Sequence, residues 1–291
     1  MWVHLAAAVV LAIPLGLDLY MPVPDSNPLD AETIRRGREL FRDRRLSRDR
    51  SLSCASCHRP DRGFSDGRPV AVGIAGRTGR RNVPALINRG YGRAFFWDGR
   101  TTTLEDTVLR PIAAHNELDL SIDEAAVRVG MTRDDMALAL ASYVRSILSG
   151  DSRFDRFVNG DRRALNAQQQ RGLQVFRGKG NCTACHVGPN FTDERLHNTG
   201  VAWRTGRLTD DGGGLGAFRT PTLREIARTA PYMHDGSLRR LEDVVDFYER
   251  GGHPNPHLDE EIRPIRFTAD EKRDLVAFLR TLSGRVQEGV R

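Results

Sequence analysis

The chain has 291 residues, enough for one large or two ordinary domains, with 39% hydrophobic, 28% charged and 7% aromatic residues. The aromatic share is low for a core of that size. The formal charge of +6 comes with no nucleic-acid-binding motif, so nucleic acid is not an expected partner, and no stretch beyond the first residues could span a bilayer.

From Trp2 to Leu17 there is no charged residue and the segment is apolar but for His4, the pattern of an export segment. It lacks a basic n-region and is shorter than the roughly 20 apolar residues of a membrane span. Residues 1–25 are therefore expected to be a signal peptide or a retained N-terminal tether. Pro22 to Leu29 reads as a linker, and a helix is predicted from Ala31 to Asp43 with Ile34, Leu40 and Phe41 on its apolar face.

Next comes Cys54-Ala55-Ser56-Cys57-His58, and later Cys182-Thr183-Ala184-Cys185-His186. Each is C-x-x-C-H, the attachment signature of a c-type haem. Two thiols on one turn can each bond a vinyl-derived carbon, and the adjacent histidine reaches the iron from the proximal side. A redox dithiol, or a zinc site with both motifs converging on one metal, fits the same spacing. Two complete copies that use all four cysteines favour two covalently bound haem c, with His58 and His186 as proximal ligands. Haem would supply the missing apolar bulk, its propionates would offset much of the basic charge, and arginines are their natural partners. Gly37, Phe41 and Arg42 ahead of the first motif are echoed by Gly172, Phe176 and Arg177 ahead of the second, which suggests two related domains.

Arg59 to Arg81 is a long Gly-, Arg- and Asp-rich loop, placed as an active-site loop. Phe95 to Arg100 is an aromatic cluster ending in a turn, and Asp134 to Leu148 is helical, with Met136, Leu140, Tyr143, Val144 and Ile147 along one face. Phe154 to Asp161 reads as the interdomain link and Asp210 to Gly216 as a glycine-rich loop. Ser237 is a candidate cap for a helix ending near Gly251, which carries Leu241, Val245 and Tyr248 on one face. Thr268 and Glu271 form a capping-box pattern before Leu275, Phe278, Leu279 and Leu282. No sustained strand alternation appears, so the expected fold is mainly α.

The two haem motifs, Phe96-Trp97-Asp98-Gly99-Arg100 and Thr229-Ala230-Pro231-Tyr232-Met233-His234-Asp235-Gly236 together resemble the bacterial di-haem cytochrome c peroxidase and MauG superfamily, from about Ala31 to Leu282. The resemblance implies two cytochrome c-like haem domains, 26–158 and 159–291, packed around an interdomain calcium site, with the last helix placed to pack back on the first domain. It implies that hydrogen peroxide reacts at the N-terminal haem and that the C-terminal haem passes electrons. Trp97 would bridge the haems. Asn82 and the backbone carbonyls of Thr229 and Pro231 match calcium ligands, and oxygen donors suit that ion. Glu117 matches the distal glutamate that moves the peroxide protons, with His115 a rival acid/base. Periplasmic export goes with covalent haem attachment.

Three departures from the plain peroxidase pattern stand out. The loop Val70 to Arg80, with Ile74 near the position of a closing histidine, contains no histidine, so the first haem is expected to be open in the oxidised protein. Where ordinary members carry a methionine ligand to the second haem, the offset count gives Tyr248, as in MauG-like members, with Met233 the competitor. A phenolate is a harder, anionic donor and lowers the haem potential. Thr107 stands where glutamine is frequent near the distal pocket. Thr107 removes an amide that could orient peroxide or water; the first two departures favour an enzyme that stores two oxidising equivalents across two haems and Trp97 and oxidises a partner protein, at Trp or Tyr side chains, by long-range electron transfer. The alternatives are a peroxidase fed by a small cytochrome or cupredoxin, and a non-catalytic di-haem electron carrier.

Overall fold

The structure, a computed structural model, describes residues 11–290; the first part of the expected leader, residues 1–10, lies outside the described residues. Helices dominate: α1 Ala31–Arg42, α2 Cys54–Cys57, α3 Leu104–Ala113, α4 Ile122–Val129, α5 Arg133–Arg145, α6 Arg153–Val158, α7 Ala167–Arg177, α8 Leu241–Glu249 and α9 Ala269–Leu279. The strands are two or three residues long: β1 Leu148–Gly150, β2 Leu196–His197, β3 Trp203–Arg204, β4 Arg207–Leu208, β5 Phe218–Arg219 and β6 Arg285–Gln287. They form three antiparallel pairs, β1 with β6, β2 with β5 and β3 with β4.

Helix starts follow capping chemistry. The Asp30 carboxylate accepts the Thr33 N–H and opens α1, and Thr132 does the same for α5 through Asp135 N–H. Thr268 and Glu271 form the expected capping box on α9. In the first half α1 crosses α5, burying Ile34, Leu40 and Phe41 on one side and Met136, Leu140 and Tyr143 on the other. The second half repeats this with α7 against α9, burying Phe176 and Phe278. Each Phe withdrawn from water contributes roughly 1.5–3 kcal/mol. Glycine sits at both crossings because nothing larger fits. A Cβ on Gly37 would lie 1.9 Å from the Ala139 carbonyl oxygen, and one on Gly172 would lie 1.9 Å from that of Asp274.

The halves repeat beyond the motif approaches. Pro84 to Pro111 aligns without a gap on Pro221 to Tyr248. Both stretches pass through a left-handed residue (Asn88, φ 57°; Glu225, φ 61°) and a 3-10 turn, then a small hairpin closed by Phe95 with Thr101 or Tyr232 with Leu238. Each ends in a helix, α3 or α8, that opens Leu-Glu-Asp.

Several expectations need correction. The helix expected to reach Leu148 stops at Arg145, and 148–150 is strand β1. Phe154 to Asp161 is mostly helix α6, capped by Ser152 with Asp155, and Phe154 packs against Phe191 and Phe278, so it belongs to the second core. Ser237 is consumed by the Tyr232–Leu238 hairpin, so α8 starts with Arg240 as its cap. The last helix packs on α7 and α8; strand β6, beyond it, is what returns to the first half and pairs with β1. Residues 11–29 are built into the body. Leu11, Leu17, Met21 and Leu29 are buried with Ile34 and Leu148, and Arg224 Nη2 donates to the Gly16 carbonyl at 2.7 Å. Below that carbonyl Arg224 pairs with Asp155 at 2.5 Å, both side chains 1% exposed. Among the described residues no helix is long and apolar enough to cross a membrane.

Candidate active site

The first motif forms one helical turn, α2. Ser53 and Ser56 close a capping box at its start, and the His58 N–H donates to the Cys54 carbonyl at 2.9 Å. The second forms a 3-10 turn from Cys182 to Ala184, with His186 N–H on the Cys182 carbonyl at 2.9 Å. Each imidazole is oriented in the same way: His58 Nδ1 lies 2.9 Å from the Phe64 carbonyl oxygen, and His186 Nδ1 lies 2.8 Å from that of Phe191. Both phenylalanines adopt left-handed φ, 59° and 53°, which turns the carbonyl back on the ring. A donor role for Nδ1 leaves Nε2 free to bind iron.

Burial pushes the Cys54 thiol up to about 12, Cys57 to about 11 and Cys182 to about 12, and holds both imidazoles below their ordinary value. Neutral thiols in an apolar setting suit thioether formation and not a reactive dithiol. The cysteine pairs do not converge: Cys54 packs on the first core and Cys182 on the second, and among the described residues no group of three or more His, Cys, Asp or Glu could hold a metal. The zinc expectation has no geometric support.

A deep cavity opens at the second motif. Cys182, Cys185, His186 and Tyr248 line it, with Phe176, Leu241, Val245, Leu275 and Leu279 as apolar wall. These residues fit a macrocycle bound by thioethers and a proximal histidine, with the phenol of α8 in the same chamber. Burial raises the Tyr248 phenol well above its ordinary range. Met233 also lines the chamber, from a left-handed turn (φ 71°).

The cavity runs on into the seam between the halves, where Trp97, Asn82, Thr229 and Pro231 line it too. Trp97 Nε1 donates to the Asn82 carbonyl at 2.8 Å, and the Trp97 carbonyl accepts Arg219 N–H at 2.8 Å. The Asn82 side chain is fixed by donation from Nδ2 to the Arg68 carbonyl at 2.7 Å, which leaves Oδ1 without a partner among the described residues. The carbonyls of Thr229 and Pro231 likewise accept no hydrogen bond from described residues. Arg81 locks the seam, bidentate to Asp210 at 2.8 Å and bound to Asp98 at 2.6 Å, and this holds the Asp210 carboxyl down at about 2.

Glu117 and His115 part company. Glu117 is half-buried, its carboxyl raised by burial with partial relief from Arg100, and its charge reaches both Cys54 and Cys57. Its carbonyl accepts Ile74 N–H at 2.9 Å, so the loop at Ile74, itself buried, closes over it. His115, the rival acid/base, has a 75% exposed side chain tied to Asp119. The Thr107 hydroxyl is spent on the Thr103 carbonyl at 2.6 Å.

His234 escaped the sequence reading. It is buried, lies flat on Phe218 at 3.7 Å with an 11° interplanar angle, and lines the cavity. Its carbonyl accepts Asn82 N–H at 2.6 Å, the mirror of the Trp97–Arg219 bond. The signal was the match of Trp97-Asp98-Gly99 to His234-Asp235-Gly236.

A family model, di-haem cytochrome c peroxidase, matches residues 31–133. The chain is 39% identical to methylamine utilization protein MauG of Methylorubrum extorquens, over 90% of this chain and 81% of that one. It is 35% identical to cytochrome-c peroxidase IdrP1 of Pseudomonas sp. strain SCT, over 90% and 84%. A solved MauG-like protein associated with microbial copper homeostasis superposes with a TM-score of 0.83 at 35% identity, covering 92% of this chain and 94% of that one. With two C-x-x-C-H turns suited to haem c and curated relatives matched over more than four fifths of their length, the chain belongs to the di-haem cytochrome c peroxidase family and is a haem-dependent oxidoreductase.

Proposed function

We propose that this enzyme uses hydrogen peroxide to oxidise side chains of a partner protein by long-range electron transfer, in the manner of the MauG-like branch. The observation that carries the reading is the internal repeat. It sets Pro111 of α3 where Tyr248 stands in α8. Proline offers no donor atom, so a haem held by Cys54, Cys57 and His58 would meet no side-chain ligand from that position, while Tyr248 lines the second chamber together with His186. Ile74, in place of a closing histidine, supports the same division.

Haem, when attached, supplies the redox chemistry with peroxide; the chain's own residues do the rest. Glu117, half-buried and with a raised carboxyl, would accept a proton from hydrogen peroxide and return it to the leaving oxygen. The Phe64 and Phe191 carbonyls hold the two proximal imidazoles in one tautomer. Trp97, pinned at both ends in the seam, is the electron bridge. Asn82 Oδ1 and the Thr229 and Pro231 carbonyls would hold a calcium ion. That ion would stiffen the residue whose carbonyl anchors Trp97. Export to the periplasm fits covalent haem attachment.

The test is a combined optical and electron paramagnetic resonance spectrum of the oxidised protein before and after one equivalent of hydrogen peroxide. One high-spin and one low-spin ferric haem, both lost on peroxide addition, is the expected result. Two low-spin haems that ignore peroxide would overturn it. Replacing Tyr248 by Phe should abolish the original low-spin signature and leave the high-spin one. The likeness to cytochrome-c peroxidase IdrP1 favours a second reading, peroxide reduction with electrons from a small cytochrome or cupredoxin. Fast steady-state turnover with a reduced cytochrome would select it.

A further inference from the structure

The first helix crossing carries an oxidisable side chain that the second lacks. The Phe41 ring lies 6.3 Å, centroid to centroid, from the His58 imidazole and 5.0 Å from the Tyr143 ring. Tyr143 is 0% exposed, and its hydroxyl donates to the Glu288 carboxylate. Arg38 and Arg42 hold that carboxylate from the other side, each through Nη2 at 3.0 Å. Arg38 and Arg42 are 49% and 40% exposed and Glu288 is 22% exposed, so the series His58, Phe41, Tyr143, Glu288 runs from the proximal ligand to the surface.

Packing alone does not require the hydroxyl. In the second half the equivalent crossing is made by Phe278 against Phe176, at 5.2 Å and a comparable tilt, with no polar atom. A buried phenol demands a partner, and here the partner is an anion. Burial would raise the Glu288 carboxyl, but the Tyr143 hydrogen bond and the charges of Arg42 and Arg38 outweigh it and hold it below its ordinary value. Burial and the same carboxylate keep the Tyr143 proton on the phenol at neutral pH.

We propose that Tyr143 is a one-electron oxidation site served by the first haem site through Phe41, with Glu288 as the acceptor of its phenolic proton. The inference rests on the peroxide reading above. In the step, Tyr143 gives up one electron, which lowers the oxidising equivalents that peroxide has delivered by one. The phenol O–H bond breaks, a new O–H bond forms on Glu288, and a neutral tyrosyl radical remains. Losing the proton with the electron avoids the strongly acidic phenol cation, and only a carboxylate already in contact can accept it in the same event. Re-reduction by a one-electron donor at the Arg38–Arg42 surface returns the proton from Glu288 to the phenol. The first half thus has its own exit for charge that does not pass through Trp97.

The test uses the full chain with both haems attached, mixed with one equivalent of hydrogen peroxide without substrate and freeze-quenched. Electron paramagnetic resonance should reveal an organic radical whose spectrum narrows when the protein carries ring-deuterated tyrosine. In Tyr143→Phe the radical should vanish while the haem spectra before peroxide stay unchanged; Phe278 shows that phenylalanine satisfies such a crossing. In Glu288→Gln its appearance should slow by about 100-fold, the lower end of what a positioned proton acceptor contributes. A tyrosyl radical that survives in Tyr143→Phe, or haem spectra that respond to peroxide with no tyrosyl radical at all, overturns the inference. Haem spectra that ignore peroxide overturn the functional reading and this inference with it.

Discussion

In the first half α1 crosses α5 with Gly37 against Ala139, and in the second α7 crosses α9 with Gly172 against Asp274. Both halves orient their histidine with the carbonyl of a left-handed phenylalanine. The differences are confined to the positions around that frame. Pro111 answers to Tyr248, Trp97 to His234, Tyr143 to Phe278 and Ile87 to Arg224. On the proposed reading one scaffold would serve two roles, because the glycine contacts and the histidine-orienting carbonyls repeat while side chains around them differ.

The largest expected effect tests the division of labour. Glu117→Gln should slow the reaction with peroxide by about 100- to 10,000-fold, measured by stopped-flow at the first haem, with the second haem's resting spectrum untouched. An unchanged rate would break the assignment. Next is the charge that the second half buries where the first has Ile87. Arg224→Met leaves Asp155 buried and unpaired beneath the Gly16 carbonyl and should cost about 3–5 kcal/mol in chemical denaturation. Adding Asp155→Leu should recover most of it. The crossings offer a sharper comparison. Gly37→Ala and Gly172→Ala should each cost about 1–3 kcal/mol, and by similar amounts, because both meet a backbone carbonyl. A large difference between them would mean that the two crossings are not equivalent.

The smallest effect carries a sign. The folded-state Glu117 carboxyl is raised by burial. A raised carboxyl contributes its stability below the unfolded value and loses it as pH rises through the folded one. Glu117→Gln should therefore stabilise the fold near neutral pH, and the gain should vanish near pH 3, where Glu117 is protonated in folded and unfolded chains alike.

The features visible in the sequence were those with local causes. The two haem turns, the Gly37 and Gly172 approaches and the Thr268 cap each announce themselves within a few residues. The β1–β6 pair was invisible because three-residue strands carry no alternation to read. Helix α6 was taken for a linker although Ser152 and Asp155 spell a capping box, since its six residues are too few for a periodic face. His115 looked like a neighbour of Glu117 because the two lie two positions apart in sequence, but the His115 side chain is 75% exposed while the Glu117 side chain is half-buried. Long-range placement also decided His234, whose role in the seam rests on contacts with Phe218 and Asn82 far from it along the chain.

Strand β6 has a consequence for the order of assembly. Residues 285–287 complete an edge of the first half, and Glu288 supplies the counter-ion for Arg38, Arg42 and the Tyr143 hydroxyl. A chain synthesised from its N-terminus delivers α1, α2 and α5 long before those residues. Until residues 285–288 arrive the first half stands with an unpaired β1 and without the Glu288 counter-ion for Arg38 and Arg42. Its closing contacts form only once residues 285–288 have emerged.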